Sequence, residues 1–359
     1  MPVNQIQLMR FKTDEPVDQI KNRLKKLFKS AGLDIVIQSG DITAIKIHFG
    51  EKGNVTHVPA AYVEPIVRMI KSCGARAFLT DTTVLYKSVR QNAIDHLQLA
   101  YENGFTYEKV GAPVIIADGI IGRNETEIEV NAPLNKTVSL ATELVAANSI
   151  IAITHVTGHV STGLGATIKN LGMGMSSRRG KLAQHSVSKP MIKSNKCTAC
   201  GACVKWCPAN AITIPEKFAI IDQNICIGCG ECLTVCRFDA VHFQWNTSNT
   251  RLQQQIVEHA LGIVRQKSGR IGFLTFLTNM TKDCDCLPGK QVPIAPDIGV
   301  LAGFDPVAID QAVIDLTGQN NTRNIAQLAH PEIDYTVQLE YGEKIGLGCR
   351  QYQLTETEF

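Results

Sequence analysis

Two runs of cysteine fix the chemistry this chain can do. CTACGACVKWCP starts at Cys197 and CIGCGECLTVCR at Cys226, so each half reads C-x2-C-x2-C-x3-C. Three thiolates spaced by two residues can each take one corner of a cubic iron–sulfur cluster, because a short Gly/Ala-rich loop lets successive sulfurs converge on one point. The fourth cysteine of each run, Cys207 or Cys236, is carried off by a helical turn. A disulfide framework and a zinc site are the competing uses of such cysteines. Neither explains why the fourth comes at x3 in both halves.

The runs also repeat as structure: Ala211-Ile212 follows Cys207 as Ala240-Val241 follows Cys236, in one register without gaps. The stretch from Cys197 to Trp245 resembles a bacterial-type two-[4Fe-4S] ferredoxin. In such ferredoxins the fourth cysteine of each run ligates the other cluster. The resemblance therefore implies one cluster on Cys197, Cys200, Cys203 and Cys236, and a second on Cys226, Cys229, Cys232 and Cys207. Arg237 stands where the first run has Pro208, which removes no ligand.

A second stretch, Thr154 to Ser186, mixes six glycines with Lys169, Arg178, Arg179, Lys181 and the histidines His155, His159 and His185. Glycines such as Gly163 and Gly165 let backbone approach a ligand, and the cations favour an anionic group such as phosphate. A Gly-rich loop that merely packs tightly is the bland alternative. No nucleotide fingerprint is matched: Gly163-Leu164-Gly165 lacks the third glycine, and Gly180-Lys181 is followed by Leu182. His155 and His159 are four apart, which suits a metal on a helix, but they follow a strand directly. For His155 the alternative is a buried imidazole with its hydrogen bonds satisfied. Cys284-Asp285-Cys286 precedes a turn at Leu287-Pro288-Gly289; residues i and i+2 of a strand share a face, so both thiols would line one pocket as ligands or as a redox pair, with simple burial as the alternative. Cys73 and Cys349 read as core or incidental.

The elements that must position these residues alternate. Apolar runs at Thr43–Phe49, Ala77–Thr80, Pro113–Ala117 and Ser149–Thr154 read as strands, separated by helices at Ala61–Ser72 and Val89–Asn103, with an earlier amphipathic helix over Asp14–Ala31. After Trp245 the pattern resumes, with helices at Arg251–Gln266 and Pro306–Leu316 and strands at Ile271–Thr278 and Ile298–Ala302. The expected fold class is α/β: a largely parallel sheet with helices on both faces. The ferredoxin unit, residues 191–245, is expected as an insertion that splits this domain into 1–190 and 246–359. Functional loops then lie at the carboxyl ends of the strands. Those ends carry His48-Phe49-Gly50-Glu51, Asp81-Thr82-Thr83, Asp118-Gly119 and the glycine–histidine stretch.

Bulk properties narrow the class. The 359 residues are 44% apolar and 19% charged, which fits a globular protein with a sizeable core. A net charge of +3 gives no argument for nucleic acid. The cysteine-rich stretch carries three Lys/Arg and four Asp/Glu, so it lacks an acidic surface that would steer a basic partner. No run reaches membrane-span length and the start, MPVNQIQLMRFKT, has no apolar region, so the cytoplasm is expected. Iron–sulfur ligation fits that reducing compartment and accounts for eight of the twelve cysteines.

His48-Phe49-Gly50-Glu51, Thr80-Asp81-Thr82, Gly111-Ala112-Pro113, Ala117-Asp118-Gly119, Gly158-His159, Lys169-Asn170-Leu171-Gly172-Met173-Gly174, Cys284-Asp285-Cys286 and Asp305-Pro306-Val307-Ala308-Ile309-Asp310 together resemble the family called domain of unknown function 362, in its form with an internal ferredoxin. That resemblance implies an iron–sulfur protein of undefined chemistry, typical of anaerobic metabolism. His159-x3-Gly163-x5-Lys169 with His185 is faintly similar to the lactate racemases that use a nickel-pincer nucleotide. There the first histidine is an acid/base group, the lysine anchors the cofactor and the second histidine binds nickel. What carries over is a cofactor pocket at His159, Lys169 and His185, to which Asn170, His155, Gly163, Gly165, Cys284 and Cys286 are added.

The expected function is an iron–sulfur electron-transfer protein or reductase component, served by an external electron donor or acceptor protein. A flavin or other phosphate-bearing cofactor is a reasonable acceptor, since a flavin takes one electron at a time, although the sequence does not demand one. The alternatives are a non-redox enzyme with a pincer-like or metal cofactor and structural clusters, and a maturation factor for a client enzyme.

Overall fold

A computed structural model describes residues 4–185, 189–226, 228, 230–242, 248–320 and 322–357. Eight strands form the main sheet: β1 (Asn4–Arg10), β2 (Ile42–Lys46), β3 (Arg76–Asp81), β4 (Val114–Ile116), β5 (Ser149–His155), β6 (Ile271–Leu277), β7 (Gly299–Gly303) and β8 (Tyr352–Glu356). Their spatial order is β8-β1-β7-β6-β5-β2-β3-β4. Every adjacent pair is parallel except the two made by β7, which runs against both β1 and β6.

The alternation of side chains along β5 shows why the sheet is covered twice. Ile150 and Ala152 enter one apolar core, Ile151 and Ile153 the other. Helices Val17–Ser30 and Ala60–Ser72 close the second face with Ile20, Leu24, Val63 and Ile66. Helices Asn249–Lys267 and Pro306–Asn320 close the first with Ile256, Ala260, Ile309 and Val313. A central strand buried on both faces has no polar side to show, hence the continuous run SIIAIT. Among the described residues no helix is long and apolar enough to cross a membrane.

β5 and β6 lie side by side, Ile151 opposite Gly272, although more than a hundred residues separate them in sequence. Within that intervening chain, Met191–Ile192 pairs with Val241–His242, and Ile212–Thr213 pairs with Ile220–Ile221. Short helices Ala202–Trp206 and Glu231–Val235 follow the third-from-last cysteines of the two runs. This smaller unit has its own apolar cluster, built from Ile212, Ala219, Ile221 and Val241 with cysteine side chains. Trp245 lies outside the described residues.

The helix expected over Val89–Asn103 is two pieces: a 3₁₀ turn at Val89–Gln91 and an α-helix at Ala93–Glu102. Asn92 breaks them, adopting extended backbone and capping the second helix through Asp95 N.

The short helix Thr167–Gly172 carries Lys169 and Asn170 and crosses helix Asn249–Lys267 closely at Gly172, where a β-carbon would overlap the Ile256 carbonyl. Gly172→Ala must push the two helices apart. It is expected to lower stability by about 1–3 kcal/mol, read as a lower urea midpoint at unchanged m-value.

Candidate functional site

The carboxyl ends of β2, β3 and β5, with the loop that follows β6, surround a cavity of about 470 Å³. Lys46 closes β2 and faces Asp81, at the end of β3, across 3.0 Å, while its Nζ also donates to Asn170 Oδ1 at 2.9 Å. Burial opposes a charge on Asp81, but Lys46, His48, His96 and Arg90 overcome it and hold the carboxyl well below its ordinary range. Asn170 in turn donates to Ile153 O and Thr154 Oγ1. Its amide thus fixes the lysine to the sheet. Arg90, almost wholly buried, donates to Glu51 at 2.9 Å and to Tyr86 Oη at 2.5 Å, and its Nη1 lies 2.9 Å from His48 Nε2.

Cys284, Asp285 and Cys286 form a turn rather than a strand. Both thiols still line the cavity, as does Asp285 between them. The Asp285 carboxylate meets His155 Nδ1 at 2.7 Å and Thr56 Oγ1 at 3.3 Å. His155 Nε2 lies 2.7 Å from Thr278 O. Both neighbours of the ring are acceptors, so the ring donates from both nitrogens and carries a positive charge. Burial disfavours that charge, yet Asp285 and the carbonyl raise the His155 pKa. The metal-on-helix geometry for His155 and His159 is absent: His155 ends β5, His159 ends the short strand Thr157–His159, and His155 is the satisfied buried histidine.

The two thiols lie two residues apart, and Lys169 and His48 line the same cavity. Cys284, Lys169 and His48 hold the Cys286 thiol well below its usual range despite burial. Cys286 and burial push Cys284 up. Lys169 stays charged because Cys284, Cys286 and Asp285 outweigh its burial. His159 is held neutral by burial and by Lys169, and His185 is pushed down to about 4 by burial, then Lys169 and Lys181. Lys181 donates to Thr82 Oγ1 and Ser176 O, both at 2.6 Å, and burial pushes it down to about 8.

Of the sequence-derived candidates, His155, His159, Gly165, Lys169, Asn170, His185, Cys284 and Cys286 line this cavity, and Gly163 does not. Gly163 opens the short strand Gly163–Gly165 at φ +67°, against Tyr335. A β-carbon at Gly158 or Gly180 would overlap the carbonyl of Lys282 or Ser139, so tight packing accounts for them. Arg178 and Arg179 turn to Gln91 O and to Glu125 and Glu127 instead. Sequence reasoning missed Lys46 and Arg90; for Lys46, a charge inside the apolar run Thr43–Phe49 was the available signal.

The cysteine runs line two further, smaller cavities. Cys197, Cys200, Cys203 and Cys236 surround one; Cys207, Cys226 and Cys232 border the other. Cys229 lies outside the described residues. Backbone N–H groups of Ala219, Ala211, Gly228 and Ala240 donate to the sulfurs of Cys197, Cys207, Cys226 and Cys236 at 3.2–3.4 Å. Burial, then the neighbouring Cys197 and Cys200, raises the Cys203 pKa. Among the described residues no three His, Cys, Asp or Glu side chains form a set for a single metal ion.

The smaller unit touches the main domain beside the large cavity. Leu233 packs with Leu182 and Leu85, and Leu85 lines that cavity. Gly230, which borders the second cysteine cavity, lies against Leu182. Arg123 reaches Glu231 at 2.8 Å and lies over the Trp206 ring at 4.6 Å.

The family model described as Domain of unknown function (DUF362) matches residues 43–315, and the chain belongs to that family. No curated protein matches the sequence. Two solved structures are similar at low identity. One is a crystal structure of a Thermotoga maritima protein: 9% identity, TM-score 0.45, covering 86% of this chain and 60% of that one. The other is the lactate racemase apoprotein from Thermoanaerobacterium thermosaccharolyticum: 10% identity, TM-score 0.40, covering 84% of this chain and 54% of that one. The chain thus spans little more than half the length of either.

Asp285→Asn removes the partner of a buried imidazolium and is expected to cost about 3–5 kcal/mol. Asp285 is pulled down to about 2, so its contribution is present above the ordinary value of 3.8 and is lost as pH falls toward 2. His155 is raised, so its contribution is present below 6.5 and is lost as pH climbs through its raised value. Urea titrations across pH should therefore show the largest gap between wild type and variant between these limits.

Proposed function

We propose that this chain is an iron–sulfur electron-transfer protein or reductase component, taking single electrons from an external protein partner and delivering them to the cavity at the carboxyl edge of the sheet. The observation that carries this reading is the crosswise sorting of the thiols. Cys236, last of the second run, lines one cavity with the first three cysteines of the first run; Cys207, last of the first run, borders the other with Cys226 and Cys232.

When bound, two [4Fe-4S] clusters supply reversible one-electron storage. Cys197, Cys200, Cys203 and Cys236 would hold one, and Cys207, Cys226, Cys229 and Cys232 the other. The residues suit such a group. Converging thiols favour a cation among them, and the N–H donors to sulfur stabilise negative charge there. Cys200 is exposed and marks the face a partner protein would approach. Leu182, Leu233 and Leu85 exclude water between the second thiol-lined cavity and the large one.

A flavin or other phosphate-bearing group fits the large cavity less well. Lys46 is matched by Asp81, Arg90 by Glu51 and Lys169 by the thiol pair, and Lys181 is pushed down to about 8. A second reading, an enzyme with a pincer-like or metal cofactor, is favoured by one observation: His159, Lys169 and His185 converge on the same cavity. A chromophore beyond the iron–sulfur absorption, lost in Lys169→Ala with iron retained, would support that reading.

Purified anaerobically, the wild type should carry about eight irons per chain. Cys236→Ala should fall to about four and leave Cys207, Cys226 and Cys232 protected from alkylation. A folded anaerobic sample with iron near zero would overturn the electron-relay reading.

A further inference from the structure

We propose that Cys284 and Cys286 form a redox-active dithiol–disulfide couple that reduces small, largely apolar organic disulfides, with Cys286 as the attacking sulfur and Cys284 as the resolving one. The inference rests on the electron-relay reading for its reductant, and names the acceptor and substrate class within that reading.

Four observations converge. The two thiols lie two residues apart in one turn and both line the large cavity. Lys169 and His48 line the same cavity, and a fixed cation beside one sulfur of a pair stabilises both the attacking thiolate and the thiolate leaving it. The turn that presents them is held on every side. Asp285 is locked by His155 and Thr56, Gln291 donates to Cys284 O at 3.1 Å, and Leu287 N donates back to the same carbonyl at 3.1 Å. Finally, Leu85, Val160, Met173, Leu252, Ile256 and Leu287 give the cavity an apolar wall. With its cations already matched, it selects an apolar body rather than a charged one. The thiols supply what the cavity otherwise lacks among the described residues: a group of this chain that can hold two electrons together.

The chemistry balances. The Cys286 thiolate bonds to one sulfur of a disulfide RSSR and expels RS⁻, which takes a proton. Cys284 loses its proton and bonds to the Cys286 sulfur, which expels the second RS⁻ for protonation. The sum is dithiol plus RSSR giving the Cys284–Cys286 disulfide plus two RSH. Two electrons, delivered singly by a low-potential one-electron carrier protein through the two clusters, and two protons restore the dithiol.

The test is anaerobic, on the full chain with its iron. Dithiothreitol-reduced, desalted protein is mixed with one equivalent of 2,2′-dithiodipyridine, thiopyridone release is followed optically, and the peptides are weighed. The expected result is a fast release of two thiopyridones per chain, at least tenfold faster than reaction with oxidised glutathione, and a Cys284–Cys286 peptide lighter by two hydrogens. In Cys284→Ser a single thiopyridone should leave and a pyridyl adduct should persist on Cys286. The couple is overturned if Cys286 reacts no faster than Cys73 or Cys349, or if the wild-type peptide stays unlinked, a readout that needs no variant to fold. Iron measured in the same sample separates the two readings. An unlinked pair with about eight irons overturns the couple alone, and a linked pair without iron overturns the relay while supporting the couple.

Discussion

The ion pair between Asp285 and His155 governs how the large cavity is furnished. A carboxylate and an imidazolium, both nearly inaccessible to water, are costly to bury singly and tolerable only together. The pair ties residue 285 to the end of β5, and its neighbours at 284 and 286 line the same cavity. The same rule holds across the cavity, where Lys46 answers Asp81 and Arg90 answers Glu51. These pairs join the ends of neighbouring strands and the loops that follow them, so the charge the walls show to a ligand is small.

The sheet supplies the platform for these contacts. Since β2, β3, β5 and β6 all run the same way, their carboxyl ends form one edge, and the loops leaving that edge have nowhere to go but round a common space. β7, which alone runs against its neighbours, returns the chain to the far side and lets the terminal strands β1 and β8 widen the sheet away from the site.

Much of this was legible in the sequence, and the exceptions share a cause. The strands at Thr43, Ala77, Ser149 and Ile271 announce themselves as Val/Ile runs because a parallel strand covered on both faces needs no polar positions. β1 and β8, near the sheet edge, read NQIQLMR and YQLTE; too polar for that pattern, they passed unnoticed. The hairpin strand Glu125–Glu129 escaped for the same reason. Lys169, Cys284 and Cys286 were found because cation and thiol types are rare in such company. The Lys46–Asp81 and Arg90–Glu51 pairs were not, since a buried ion pair between residues 35 to 39 apart leaves no local spacing to detect. The glycines were half read: composition shows that backbone comes close, but cannot say whether a ligand or another helix is what it approaches.

The two cysteine runs are near copies as sequence, yet the fold breaks their equivalence. One presents Cys200 to solvent; the other leans through Gly230 on Leu182. A duplicated motif whose halves began alike has been given an outside and an inside, so mutational drift is free to tune each separately. Changes at Leu85 or Leu182, which belong to the larger domain, press on only one copy. Two copies alike in sequence are thus set apart by where the unit is anchored.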